Sequence, residues 1–218
     1  MQLTKQQIDY IENRLIENGV KYWDIRIELL DHVVSDVESK LQDIDDFDKI
    51  VQNSFIGLGW TNWSKFKAVV LERRRELNLK YRKAYNMTFI NFFKSFKKVV
   101  IFTTFFVFYY FLFDTLSENV FKKTSHLITF FPMVIYFSIV IKNYRKKDKN
   151  IKKSAQLESG MFYLMVTFLI FSSILRYVNV EYSLFFIPFY LVLTYAGYKT
   201  YQKAKNEVET MYKELQKL

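Results

Sequence analysis

Residues 99–113 read VVIFTTFFVFYYFLF and residues 126–141 read HLITFFPMVIYFSIVI, and neither stretch contains an Asp, Glu, Lys or Arg. A helix that crosses a bilayer needs about 20 mainly apolar residues. With their flanks these two stretches give spans over about 98–116 and about 125–141. Two further apolar runs follow, over about 160–178 and about 182–198. Four such segments in succession would need a large polar shell to form a soluble core, and the chain encodes none. The expectation is an all-α protein: a small cytoplasmic helical domain followed by a four-helix transmembrane bundle. The domain with its connecting helix takes residues 1–85, the spans lie within 86–200, and 201–218 extend the last span as a cytoplasmic helix.

The basic residues set the expected orientation. Lys94, Lys97 and Lys98 precede the first span, and Lys142, Arg145, Lys146, Lys147, Lys149, Lys152 and Lys153 fill the loop between spans two and three. Lys199, Lys203 and Lys205 follow span four. The other two loops are nearly balanced, with Asp114, Glu118, Lys122 and Lys123 in one and Arg176 and Glu181 in the other. Short Lys- and Arg-rich loops stay in the cytoplasm, which puts both termini inside. The net charge of +10 is then explained by an anionic inner leaflet, without nucleic acid. No cysteine is present, so disulfides, cysteine zinc sites and thiol catalysis are excluded.

No Asp, Glu, Lys or Arg falls at mid-membrane, which argues against a pump, a coupled transporter or an intramembrane protease. Pro132 in span two and Pro188 in span four occupy matching places and are expected to kink their helices. The match raises the idea of a duplicated hairpin, although coincidence in Phe-rich helices accounts for it as well.

The N-terminal part follows different rules. Thr4 and Gln7 form a capping box, Ile8, Ile11 and Leu15 make an apolar stripe, and Gly19 stops the first helix. In the second helix Trp23, Ile27, Leu30, Val34, Val37 and Leu41 alternate by four and three and are expected on one face. A third helix starts near Asp46 or Asp48, buries Phe47, Ile50, Val51 and Phe55, and ends at Gly57-Leu58-Gly59. Asn62 or Ser64 caps a long fourth helix, whose late residues Phe89, Phe92, Phe93 and Phe96 are placed at the membrane interface.

The stretch LTKQQIDYIENRLIENGVKYWDIRIELLDHVVSDVESKL, residues 3–41, resembles the HAAS or permease-prefix module, as does the third helix ending in FIGLGW. Bacteroidetes membrane proteins carry a similar opening. The resemblance covers roughly the first 65 residues and implies a cytoplasmic sensing or interaction unit placed before membrane helices. No large permease body is expected to follow it.

Candidate chemistry is sparse. Asp31-His32 has the makings of an acid–base pair, but neighbours on a helix do not face each other. The acidic run Asp43 to Asp48 lacks the central glycine and the terminal glutamate of a calcium loop, so capping explains it better. Arg73-Arg74-Arg75 comes without a nucleic-acid recognition fold. The head is acidic early and basic late: either the basic helix meets lipid headgroups and the acidic helices a basic partner, or the two halves satisfy each other.

The leading reading is a non-enzymatic component of a bacterial inner membrane, signalling or assembling complexes. Glu28, Asp31, His32 and Asp36 would meet a protein partner or a second copy, and Arg73, Arg74, Arg75, Arg145, Lys146 and Lys147 would meet anionic lipid. No cofactor is expected. The alternatives are a small transporter or lipid-handling protein, suggested by the prolines, and an enzyme acting on lipid through Glu158 and Lys153.

Overall fold

The computed structural model describes residues 2–41, 46–145, 153–175, 177 and 179–215. Among them the chain is all helical. It forms α1 (Lys5–Glu17), α2 (Trp23–Lys40), α3 (Phe47–Gly57), α4 (Trp63–Phe93), α5 (Phe96–Thr115), α6 (Glu118–Arg145), α7 (Ala155–Leu175) and α8 (Val180–Leu215). Two compact units divide it: residues 1–77 with 148–156, called the head below, and residues 78–147 with 157–218.

Local chemistry starts and stops the head's helices. At α1 the Thr4 backbone N–H donates to Gln7 Oε1 at 2.8 Å, and Gln7 N–H donates back to Thr4 Oγ1 at 3.4 Å. This reciprocal cap is worth roughly 1 kcal/mol. Gly19, at φ +89°, and Gly59, at φ +77°, take the left-handed conformation that lets the chain leave α1 and α3. Asp46 caps α3 by accepting from Asp48 N–H at 3.2 Å, and Asn62 Oδ1 accepts from Lys65 N–H at 3.1 Å to start α4. Asp43 and Asp45, also read as capping residues, lie outside the described residues.

The head core joins Ile11 and Leu15 of α1, Ile25, Leu29, Val33 and Val37 of α2, and Val51 and Phe55 of α3, with Trp60 and Phe66 beside them. The face of α2 matches the expected one only in part: Trp23 and Val37 are buried, and Leu30, Val34 and Leu41 pack at the edge of the core. Its fully buried positions run at intervals of four from Ile25 to Val37, while Ile27, Leu30, Val34 and Leu41 are only half-buried. α2 packs on both α1 and α3, so its apolar arc must serve two neighbours and is wider than one stripe. A pattern read for one partner picks its edge rather than its centre.

In the second unit four helices are long and apolar enough to cross a membrane: α5, α6, α7 and α8. α8 is central among them and packs on α5 and α6. Within their apolar windows, 44% of α8 is buried inside the protein against 6% of α5. Much of the apolar surface of α5 is exposed, Ile101, Val107, Phe108 and Phe111 among it, as suits a helix bathed in lipid. α7 starts at Ala155, before the expected apolar boundary near 160, and α6 starts at Glu118. Helical hydrogen bonding runs on through polar flanks because backbone groups need partners on both sides of the interface. α8 continues without a break to Leu215, as the expected C-terminal extension.

The late part of α4 packs inside this unit. Tyr81, fully buried, donates to Glu207 Oε2 at 2.8 Å, Lys80 reaches the same oxygen at 2.7 Å, and Tyr85 stacks on Tyr163 at 5.0 Å between rings. Phe92 and Phe93 join Phe102, Phe189 and Tyr195 in an aromatic cluster, whereas Phe96 is exposed.

Candidate functional site

The expected partner face of α2 is on the surface, but not all of it is uncommitted. Glu28 pairs with Arg73 at 3.0 Å, and Arg73 also pairs with Glu76 at 2.9 Å. The acidic and basic halves of the head therefore satisfy each other at this point. Asp36 pairs with Lys40 one turn along at 2.6 Å, and that ammonium holds the Asp36 carboxyl below the usual carboxylate range. Asp31 and His32 are exposed, and no hydrogen bond joins them. Arg74 lies over the Tyr22 ring at 5.0 Å, and Arg75 is exposed. Arg145 ends α6, and its side chain is outside the described residues, as are Lys146 and Lys147 entirely.

The residue that sequence reasoning missed is Asp24. It is 5% exposed, in the first turn of α2, and both carboxylate oxygens are filled. Oδ1 accepts from the backbone N–H of Ile25 at 3.1 Å and of Ala155 at 3.0 Å. Oδ2 accepts from Ser154 Oγ–H at 2.9 Å and from Gln156 N–H at 2.9 Å. Trp23 N–H donates to the Lys153 carbonyl at 3.3 Å beside it. Asp24 thus does for α7 what an N-cap residue does, from 130 positions away in the chain. The first amides of a helix have no intrahelical acceptor, and the helix dipole favours an anion there. Burial of the carboxylate is tolerable because every bond to it is charge-assisted. Ala155 itself is in the head core.

No local pattern announces this. Asp24 in a first helical turn reads as an ordinary N-terminal acid of its own helix, and Ser154 reads as the N-cap of α7. The Ser154 hydroxyl also donates to Asp24. A carboxylate with four donors has no free acceptor to serve as a general base, so its role is to hold.

Within the second unit, α7 and α8 approach closely where glycine permits. A Cβ on Gly160 would lie 2.6 Å from the Ala204 Cβ, and one on Gly197 would lie 3.1 Å from the Leu164 Cα. Buried hydroxyls make a second feature. Tyr109 Oη and Ser125 Oγ share a hydrogen bond at 2.6 Å, Thr129 Oγ1 donates to the Ser125 carbonyl at 2.8 Å, and Tyr190 Oη donates to the Thr129 carbonyl at 2.8 Å. Pro132 and Pro188 are both buried inside continuous helices. Pro132 has no N–H for the Ile128 carbonyl four residues back, and the Tyr190 hydroxyl donates to the next carbonyl, that of Thr129.

Glu158 is exposed and lines a cavity of about 170 Å3 with Tyr136, Met161, Phe162 and Met165. Among the described residues no group of three or more His, Asp or Glu is placed to hold a metal ion. Comparison of the chain with family models, curated proteins and solved structures found no match.

Proposed function

We propose that this is a non-enzymatic protein of a bacterial inner membrane, with both termini cytoplasmic, that binds a protein partner through its HAAS-like head and passes that event to its third span. The observation that carries the reading is the Asp24 carboxylate bound to Ser154, Ala155 and Gln156. It makes the residues that open α7 part of the head, while the rest of that helix belongs to the span-bearing unit. A partner that strains α2 would pull on the start of α7, and α7 is seated on α8 through glycine contacts with little slack. The exposed Asp31 and His32, whose side chains hold no intramolecular bond among the described residues, are the places where a basic partner would dock.

The test is capture of partners from native membranes by the full chain and by Asp31→Lys with His32→Ala. Substitution at these exposed positions is expected to leave the fold intact and to remove at least one captured protein. Identical captured sets from the two chains would refute the docking role. Orientation is tested separately: with no native cysteine, single cysteines at Asn119 and Asn150 can be labelled in intact cells. An impermeant reagent is expected to reach position 119 and not 150, and the reverse result inverts the topology.

A further inference from the structure

At the end of the second unit where α5 gives way to α6 and α7 to α8 there is an open cavity of about 540 Å3. Glu118 and Lys122 of α6 line it, as do Asn179 and Glu181 at the start of α8, with the rings of Phe113 and Tyr177 on its walls. A glutamate in the first turn of a helix complements the helix dipole, and that would explain either glutamate alone. It does not explain why glutamates from two helices line one cavity together with a lysine.

The charges are also left uncommitted. Glu118 and Lys122 have the spacing and order that favour an ion pair along a helix. Elsewhere the chain closes such pairs, Asp36 with Lys40 at 2.6 Å and Lys205 with Glu209 at 3.7 Å. Among the described residues no ion pair joins Glu118, Lys122 or Glu181 to anything. Among the described residues two carboxylates and one ammonium line the cavity with Phe113 and Tyr177 and are presented to whatever enters. Carboxylates and ring faces attract an ammonium group, and a lysine beside helix N-termini attracts a phosphate. A purely anionic ligand would meet two like charges, and a simple cation would meet Lys122.

We propose that this vestibule binds an ammonium–phosphate zwitterion, the chemistry shared by a phosphatidylethanolamine headgroup and free phosphoethanolamine. The ammonium sits between Glu118 and Glu181 against the Tyr177 ring, and the phosphate sits on Lys122. The cavity is formed by the second unit alone, so the site is independent of the head and its partner.

The experiment uses the full chain in detergent micelles, given equal amounts of phosphatidylethanolamine and phosphatidylglycerol with the same acyl chains. Retained lipid is read by native mass spectrometry. The wild-type chain is expected to retain phosphatidylethanolamine about tenfold over phosphatidylglycerol, a difference of about 1.4 kcal/mol. Glu118→Gln with Glu181→Gln is expected to abolish the preference, and Lys122→Gln to lower phosphatidylethanolamine retention, with unchanged circular dichroism melts. Equal retention by the wild type, or a preference that survives the double substitution, overturns the proposal. Displacement of the lipid by millimolar free phosphoethanolamine assigns the site to the soluble zwitterion, and failure to displace it assigns the site to the lipid. Both of these results presuppose the preference and support the chemistry.

Discussion

The head and the span-bearing unit are both built from helices, yet they place polar groups in opposite ways. In the head, charge lies outside, as in Glu28 with Arg73 and Asp36 with Lys40, and the one buried carboxylate among the described residues is shared by donors from two distant segments. In the second unit the polar groups in the apolar segments are hydroxyls, and most donate to the carbonyl one turn back on their own helix. Thr104 donates to Val100, Thr124 to Val120, Ser125 to Phe121 and Thr167 to Tyr163, each within 2.7–2.9 Å. A water-facing helix can leave polar groups to solvent, whereas a helix in hydrocarbon must satisfy them itself. The difference teaches where each unit is fragile: the head at a single long-range carboxylate, the spans at points of close backbone approach.

The sharpest way to break this contrast is at Asp24. Asp24→Ala removes the carboxylate that accepts from the Ser154 hydroxyl and from three backbone amides, and is expected to cost about 3 kcal/mol. Asp24→Asn should be no milder, since it turns an NH2 donor towards donors. Thermal denaturation of the full chain should show the loss in the head transition. An unchanged melting profile would mean that the carboxylate is replaceable by water.

Next in size is the seat of α7 on α8. Gly160→Val is expected to cost about 1–3 kcal/mol through overpacking on Ala204 and Tyr201. Gly160→Ala should be partly rescued by Ala204→Gly, because that contact is between side-chain carbons. Gly197→Ala has no such rescue, because its contacts include the Leu164 backbone. The comparison of the two glycines in a detergent-unfolding assay separates side-chain from backbone closeness.

Smaller still is the hydroxyl ladder. Tyr190→Phe removes the donor to the Thr129 carbonyl and is expected to cost about 0.6 kcal/mol, the average found for hydrogen bonds between membrane helices. A cost above about 2 kcal/mol would mark the ladder, not the glycines, as the mainstay of the spans.

The smallest effect is electrostatic. Lys40 lowers the Asp36 carboxyl in the folded chain, so the pair stabilises above the unfolded carboxylate pKa and its contribution is lost as pH falls through the folded value. Because the pair is partly exposed, the amount is a few tenths of a kcal/mol. Asp36→Asn should flatten the acid limb of head stability by that much and leave neutral-to-alkaline behaviour parallel to wild type.

Legibility followed the same division. Apolar length exposed the four span helices and the capping residues Thr4, Asp46 and Asn62 exposed helix starts, because both signals are local. In α5 every face is apolar, so nothing in its pattern distinguishes Tyr109, which is fully buried, from Tyr110, which is exposed. The face of α2 was legible only in part for a related reason: two packing partners blur a periodic stripe. Asp24 was illegible because its partners are backbone amides, which every residue has, and they lie 130 positions away. The vestibule residues Glu118, Lys122 and Glu181 were visible as loop charges, but their convergence on one cavity depends on how two hairpins meet.

Amide hydrogen exchange at Ala155 and Gln156 tests the Asp24 anchor most directly. In the full wild-type chain these amides should exchange as slowly as the buried amides of α2, and in Asp24→Ala they should exchange about 100-fold faster, the counterpart of losing about 3 kcal/mol. Fast exchange at both positions in the wild type, or rates that Asp24→Ala leaves unchanged, would contradict the account.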